Sequence, residues 1–248
     1  MSGYHQERQR VLLVTTECEP FWAETPAAQY IAQLPGRLSQ QYDVRILMPK
    51  YGLIDDRRWR LHEVKRLSGI TIRVGNMDYS LNVKVASIPG TRTQVYFLDN
   101  HEFWARKGIF TDPDTNQPYP DNDERMIFFS KGVIAMLKTL RWAPHIIHCN
   151  GWMTGLLALY FKYQFHRDPF FGGAKLFFTH YETEIPSFKF SSSLPDKARL
   201  DGYAHEVFQR LAGDPYEKLL TESSQVAETH EGDPTPEVWI ESYQQLLA

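Results

Sequence analysis

Short apolar runs in this chain end repeatedly in residues that could do chemistry. Glu17, Cys18 and Glu19 follow the run at 11–14, and Lys50 and Tyr51 follow the run at 44–49. Asp99 and Asn100 close a third run, His148, Cys149 and Asn150 a fourth, and His180 and Tyr181 a fifth. Carboxylates, imidazoles, amides and phenols gathered at one place could hydrogen-bond the hydroxyls of a sugar or another polar metabolite, and an imidazole could pass a proton. His148 and His180 are the acid/base candidates; each reads equally well as a structural histidine held by backbone. Trp104 and Trp152 are candidate platforms for a sugar face, although core packing is the stronger reading for Trp152. Cys18 and Cys149 form no Cys-x-x-Cys pair, so neither a zinc site nor a Cys–His nucleophile is expected. No Walker loop or G-x-G-x-x-G occurs, and Gly172-Gly173 reads as a turn before a strand.

These groups converge only if the apolar runs are strands of one sheet. Residues 10–16 are rich in β-branched side chains and read as a buried strand. Ala27, Tyr30, Ile31, Leu34 and Leu38 recur at helical spacing, with Thr25 placed to cap and Pro26 suited to the first helical position. Residues 43–49 make a second strand, which completes a βαβ unit and predicts a parallel sheet with right-handed crossovers. Residues 70–74, 80–87 and 93–99 alternate or shorten, as in an antiparallel insertion. A breaker-rich loop over 112–120 precedes a helix capped by Asp121 or Asn122, with Met126, Phe129, Val133, Leu137 and Leu140 on one face. Residues 143–148 and 175–180 are further strands, separated by a helix marked by Trp152, Leu156, Tyr160 and Tyr163. Helices are expected over 196–211, 215–222 and 236–247. The pattern predicts an α/β fold over 10–195, a Rossmann-like doubly wound parallel sheet with a small antiparallel insertion, followed by a helical, acidic appendage over 196–248. In such sheets a ligand binds outside the carboxyl ends of the strands, near the topological switch point.

The 248 residues are enough to bury a sizeable core. With 27 Lys and Arg against 30 Asp and Glu, the chain has no electrostatic footprint for nucleic acid. No apolar run approaches the length of a membrane span, and the run at 11–14 is too short for the core of a signal peptide. Two cysteines do not build a disulfide framework, so a reducing, cytoplasmic setting is expected. The charge is uneven: residues 213–248 hold eight acids and one lysine, a net −7, which leaves +4 on residues 1–212. That acidic end reads as a solubilising tail or as a segment docking on the basic body.

Longer motifs resemble a known family. Val11-Leu-Leu-Val-Thr-Thr-Glu-Cys-Glu-Pro-Phe21, Leu34-Pro and Asp43-Val-Arg-Ile-Leu-Met-Pro-Lys-Tyr-Gly-Leu-Ile54 resemble the opening of bacterial glycogen synthases and plant starch synthases. Val95-Tyr-Phe-Leu-Asp-Asn100, Arg106-Lys-Gly108, Asp123-Glu-Arg-Met-Ile-Phe-Phe-Ser130 and His148-Cys-Asn-Gly-Trp-Met-Thr-Gly-Leu156 continue the match in order and spacing over residues 10–190. The chain looks most like short, stand-alone versions of the N-terminal domain in Bacteroidetes-type bacteria. The resemblance implies the N-terminal half of a two-domain GT-B fold and a retaining transfer of glucose from ADP-glucose to an α-1,4-glucan. It implies no metal and no cofactor. His180 would be the catalytic match. Glu17, Asn100, His148, Asn150, Trp152 and Tyr181 would line the acceptor side of the cleft.

The sequence departs from that family at the position of its Lys-Thr-Gly-Gly loop, which falls on Ala23, Glu24, Thr25 and Pro26. Ala23 removes a cation, Pro26 removes an amide donor and Glu24 adds repulsion, so a diphosphate loses its stabilising partners there. The aspartate of a His-Asp-Trp element falls on Gly151, and Tyr181 stands where the family has asparagine. The length corresponds to one half of a synthase. The expected function is a synthase-type glycosyltransferase domain that is not catalytic alone. The alternatives are a non-catalytic glucan-binding or regulatory module, or a partner subunit of a full-length synthase. Expected partners are an α-glucan or maltooligosaccharide, ADP-glucose, and either a second copy or a chain carrying the missing half.

Overall fold

In the computed structural model, which describes residues 8–38, 41–181, 188–224, 228–231 and 235–247, the apolar runs become strands of one sheet. The chain begins with β1 (Gln9–Val14), α1 (Pro26–Leu38) and β2 (Tyr42–Pro49), then β3 (His62–Glu63), β4 (Ile70–Val74), β5 (Met77–Ser87) and β6 (Gln94–Asp99). It continues through α2 (His101–Trp104), β7 (Thr111–Asp112), β8 (Gln117–Pro118), α3 (Asn122–Leu140), β9 (Ile146–Asn150), α4 (Gly155–Tyr163) and β10 (Lys175–His180). The last elements are α5 (Leu194–Ala198), α6 (Glu206–Leu211), α7 (Glu217–Ser224), β11 (Glu228–Glu231) and α8 (Pro236–Leu247).

Parallel strands lie in the order β6-β2-β1-β9-β10-β11, the doubly wound arrangement. The switch point lies between β1 and β9, which pair from Val11 beside Ile146 to Val14 beside Cys149. Val11, Leu12, Leu13, Val14, Ile146 and Ile147 are wholly buried, as strands covered on both faces require. Right-handed crossovers that run in opposite directions from the switch point place α1 on one face and α3 and α4 on the other. α8 packs beside α1, and α7 beside α4. The α4–α7 contact is close because Gly155 has no side chain: a Cβ there would lie 2.9 Å from the Leu219 side chain.

The expected antiparallel insertion is present. β5 pairs antiparallel with β6, β4 and β3, so it extends the sheet beyond the last parallel strand. Lys131 ties this insertion to the later chain: its buried ammonium donates to the carbonyls of Arg73 at 2.8 Å and Lys197 at 3.2 Å, and also to Arg199.

The later chain differs from expectation in detail. The helix expected over 196–211 is split into α5 and α6 because Asp201 and Gly202 both take left-handed backbone conformations, with φ of 52° and 82°. The strand β11 was not anticipated; Glu-Thr-His-Glu has none of the apolar patterning that marks the other parallel strands. A boundary at 195/196 falls inside α5, and beyond it Val207, Phe208, Leu211, Trp239 and Tyr243 join the same apolar core as β1 and β9. α8 is anchored chiefly by rings: Trp239 meets Tyr30 at 6.3 Å and His148 at 5.0 Å, and an Arg37–Glu237 ion pair adds a charged contact at the rim.

Trp239 is fully buried at the seam between α8 and the sheet. Trp239→Ala is expected to lower the unfolding free energy in urea melts by about 3–5 kcal/mol, the usual cost of emptying a large aromatic site. A loss below about 1 kcal/mol would show that α8 contributes little to the core.

Candidate functional site

A cleft opens at the carboxyl ends of β1 and β9, where the topology places the switch point. Thr16, Glu17, Trp22, Glu24 and Thr25 come from the segment after β1, Ile109 and Phe110 from the loop after α2, and Trp152 from the turn after β9. Together they border an open cleft of about 520 Å³, the adjoining solvent space included. The aromatic wall is continuous: Phe110 meets Trp152 edge-on at 4.5 Å, and Trp152 in turn meets Tyr216 at 5.1 Å.

Glu17 organises the polar side. Its Oε2 accepts the backbone N–H groups of Glu24 at 2.6 Å and Thr25 at 3.0 Å, and its Oε1 accepts the Thr25 hydroxyl. Thr25 Oγ1 also accepts the N–H of Ala27 at 3.2 Å, so Thr25 caps α1 while it holds Glu17. Pro26 occupies the first helical position, where it has no N–H to offer. The amide-rich approach to the α1 N-terminus, a natural anion site, is therefore already filled by an internal carboxylate. Glu24 stands beside it, and burial together with the charge of Glu17 raises its carboxyl above the usual range. Among the described residues neither acid forms an ion pair with a basic side chain.

The other sequence-predicted residues fall in two groups. Trp152 is at the cleft, nearly buried, with its carbonyl accepting the Tyr216 hydroxyl at 2.7 Å. Ala23 and Pro26 flank the filled amide site on exposed backbone. The rest are buried. His148 is wholly buried, bonded through Nδ1 to the Tyr243 hydroxyl at 2.6 Å and through Nε2 to Thr179 Oγ1 at 2.9 Å. Asn150 Nδ2 donates to the Tyr181 hydroxyl at 3.1 Å. Asn100 caps α2 by accepting the Phe103 N–H at 3.1 Å and donates to the Ser80 carbonyl at 3.0 Å. His180 ends β10 and is 7 % exposed, tilted against Phe178 at 5.8 Å.

Trp104 is not a sugar platform. It is 1 % exposed, with the Arg125 guanidinium 4.8 Å over its ring and Tyr51 5.8 Å from it. Burial pushes the thiols of both Cys18 and Cys149 far above their ordinary value, and among the described residues no group of three or more ligating side chains could hold a metal. Trp22 and Phe110 line the cleft without having been singled out. The signal was available for Trp22, which lies in the loop after the first strand; nothing in the local pattern around Phe110 pointed to it.

The conserved model of the starch synthase catalytic domain matches residues 10–221. The chain belongs to that family. It is 37% identical over 224 residues to the glycogen synthase of Chlorobium limicola, covering 88% of this chain and 46% of that protein. It is 36% identical over 242 residues to the glycogen synthase of Chlorobium chlorochromatii, covering 94% of this chain and 49% of that one. The chain thus spans about half the length of these relatives. The catalytic domain of starch synthase IV from Arabidopsis thaliana, solved bound to ADP and acarbose, shares the fold with a TM-score of 0.65 at 20% identity, over 79% of this chain and 38% of that one. The fold is that of the N-terminal, Rossmann-like half of a GT-B glycosyltransferase. Among the described residues no helix is long and apolar enough to cross a membrane.

Glu17→Ala would strand two backbone amides and a hydroxyl at the start of α1. It is expected to lower the unfolding free energy by about 2 kcal/mol in denaturant melts, with Glu17→Gln costing less because one acceptor remains. A change below about 0.5 kcal/mol for the alanine variant would show that the carboxylate does not hold this loop.

Proposed function

We propose that this chain is a glucan-binding, synthase-type domain: it holds an α-1,4-glucan or maltooligosaccharide end at the switch-point cleft and does not by itself transfer glucose from ADP-glucose. The observation that carries this reading is the Glu17 carboxylate on the amides of Glu24 and Thr25. A leaving diphosphate needs preorganised donors as its charge develops. Here the donors at the α1 N-terminus face a carboxylate, a second acid stands beside them, and Ala23 supplies no cation. A neutral sugar meets no such conflict. Glu17 retains a lone pair for a sugar hydroxyl, and the rings of Trp22 and Phe110 offer apolar surface to a pyranose. Transfer would require a nucleotide-holding half set against this cleft.

Calorimetric titration with maltoheptaose tests the binding claim. A dissociation constant at or below about 1 mM is expected, with Trp22→Ala weakening it by about tenfold. No heat at about 10 mM ligand would overturn it. Incubation with labelled ADP-glucose and glycogen is expected to leave the glycogen unlabelled; incorporation by the pure protein would overturn the second claim.

A further inference from the structure

The antiparallel insertion carries a second groove, lined by none of the residues of the switch-point cleft. Residues 57–66 hold five lysines and arginines against one acid, Glu63. Arg58, Trp59, Arg60 and His62 line one part of this groove and Ser87 and Gln94 another, around about 1050 Å³ of open space.

The nearby acids are directed elsewhere. Asp55 accepts the backbone N–H groups of Arg57 and Arg58 at 2.8 and 3.0 Å, which fixes the turn that presents the arginines. Asp56 is held by Lys50 at 2.9 Å and Lys84 at 2.7 Å. Glu63 follows His62 along β3 and so projects from the opposite face of the strand. Among the described residues Arg58, Arg60 and His62 form no ion pair. Uncompensated cations therefore share one groove.

The groove is also held in shape. Trp59 packs edge-on against Phe21 at 5.5 Å, and the Arg58 guanidinium lies 4.7 Å over the Trp59 ring. Arg60 adopts a left-handed backbone with φ of 52°, a conformation that a long side chain rarely takes unless its surroundings impose it. Hydrogen bonds on both sides impose it: Arg60 N–H to the Arg57 carbonyl at 3.3 Å, and Leu61 N–H to the Asp56 carbonyl at 2.9 Å.

Two guanidinium forks and an imidazole match the oxygens of a phosphate, and Ser87 and Gln94 supply the neutral donors and acceptors that sugar hydroxyls need. We propose that this groove binds a phosphate monoester carried by a sugar. The ester has two sources with the same chemistry, a free sugar phosphate or a phosphorylated position on a glucan chain.

Calorimetric titration of the whole protein with glucose 6-phosphate and with phosphorylated dextrin, each against its unphosphorylated counterpart, tests this. At least one phosphate-bearing probe is expected to bind more tightly than its counterpart, and the double variant Arg58→Ala/Arg60→Ala is expected to weaken that binding by at least about tenfold. Binding of glucose 6-phosphate that the double variant loses assigns the free sugar phosphate; if glucose 6-phosphate does not bind, an arginine-dependent excess of phosphorylated over plain dextrin binding assigns the glucan ester. An unchanged melting temperature of the double variant verifies its fold. Failure of both phosphate probes to bind more tightly than their unphosphorylated counterparts at up to about 10 mM, or equal affinity in the wild-type and double-variant proteins, would overturn the proposal. Maltoheptaose binding at the switch-point cleft is expected to be the same in the double variant, so the two binding claims succeed or fail separately.

Discussion

The contact between the Glu17 carboxylate and the amides ahead of α1 sets the character of the whole cleft. A helix N-terminus with free amides attracts anions, and in an open α/β sheet the first crossover places one at the ligand-binding edge. Here Thr25 closes the helix and simultaneously donates to Glu17, so one small network satisfies the turn and fills the position with negative charge. The same network holds Trp22 and Glu24 at the cleft, because both lie within the loop that Glu17 draws back on itself.

The sheet supplies the rigidity that this network needs. β1 is buried on both faces and paired on both edges, so Thr15 to Glu17 leave it from a fixed position. On the other side of the switch point, β9 delivers Trp152 to the cleft while turning His148 inward against α8. Gly151 makes that division possible. Its φ of 81° suits glycine, and the aspartate that the family resemblance places there would be strained in it.

The parallel sheet was legible because its strands are uniformly apolar and β-branched, and Thr25-Pro26 announced the start of α1. The antiparallel insertion was legible from its alternation. β11 was not: an edge strand of polar residues carries no periodic signal, and its place is decided by pairing with β10. His148 was ambiguous in the sequence for a related reason. A polar residue at the end of a buried strand has the same local pattern whether it turns toward solvent or toward a covering helix, and α8, more than eighty residues later, decides the matter for His148. Likewise Ala23, Glu24 and Pro26 were readable as a departure from the loop that the family resemblance implies. That Glu17 itself occupies the amides there was not readable, since the contact spans seven and eight residues across an irregular turn.

The most direct measurement is an amide NMR titration of the labelled protein with ADP-glucose, following the Glu24 and Thr25 N–H signals. If Glu17 occupies these donors, both amides exchange slowly with solvent and neither signal moves as the nucleotide sugar is added to about 10 mM. Saturable shifts of both signals, with the Glu17 carboxylate displaced, would contradict the account.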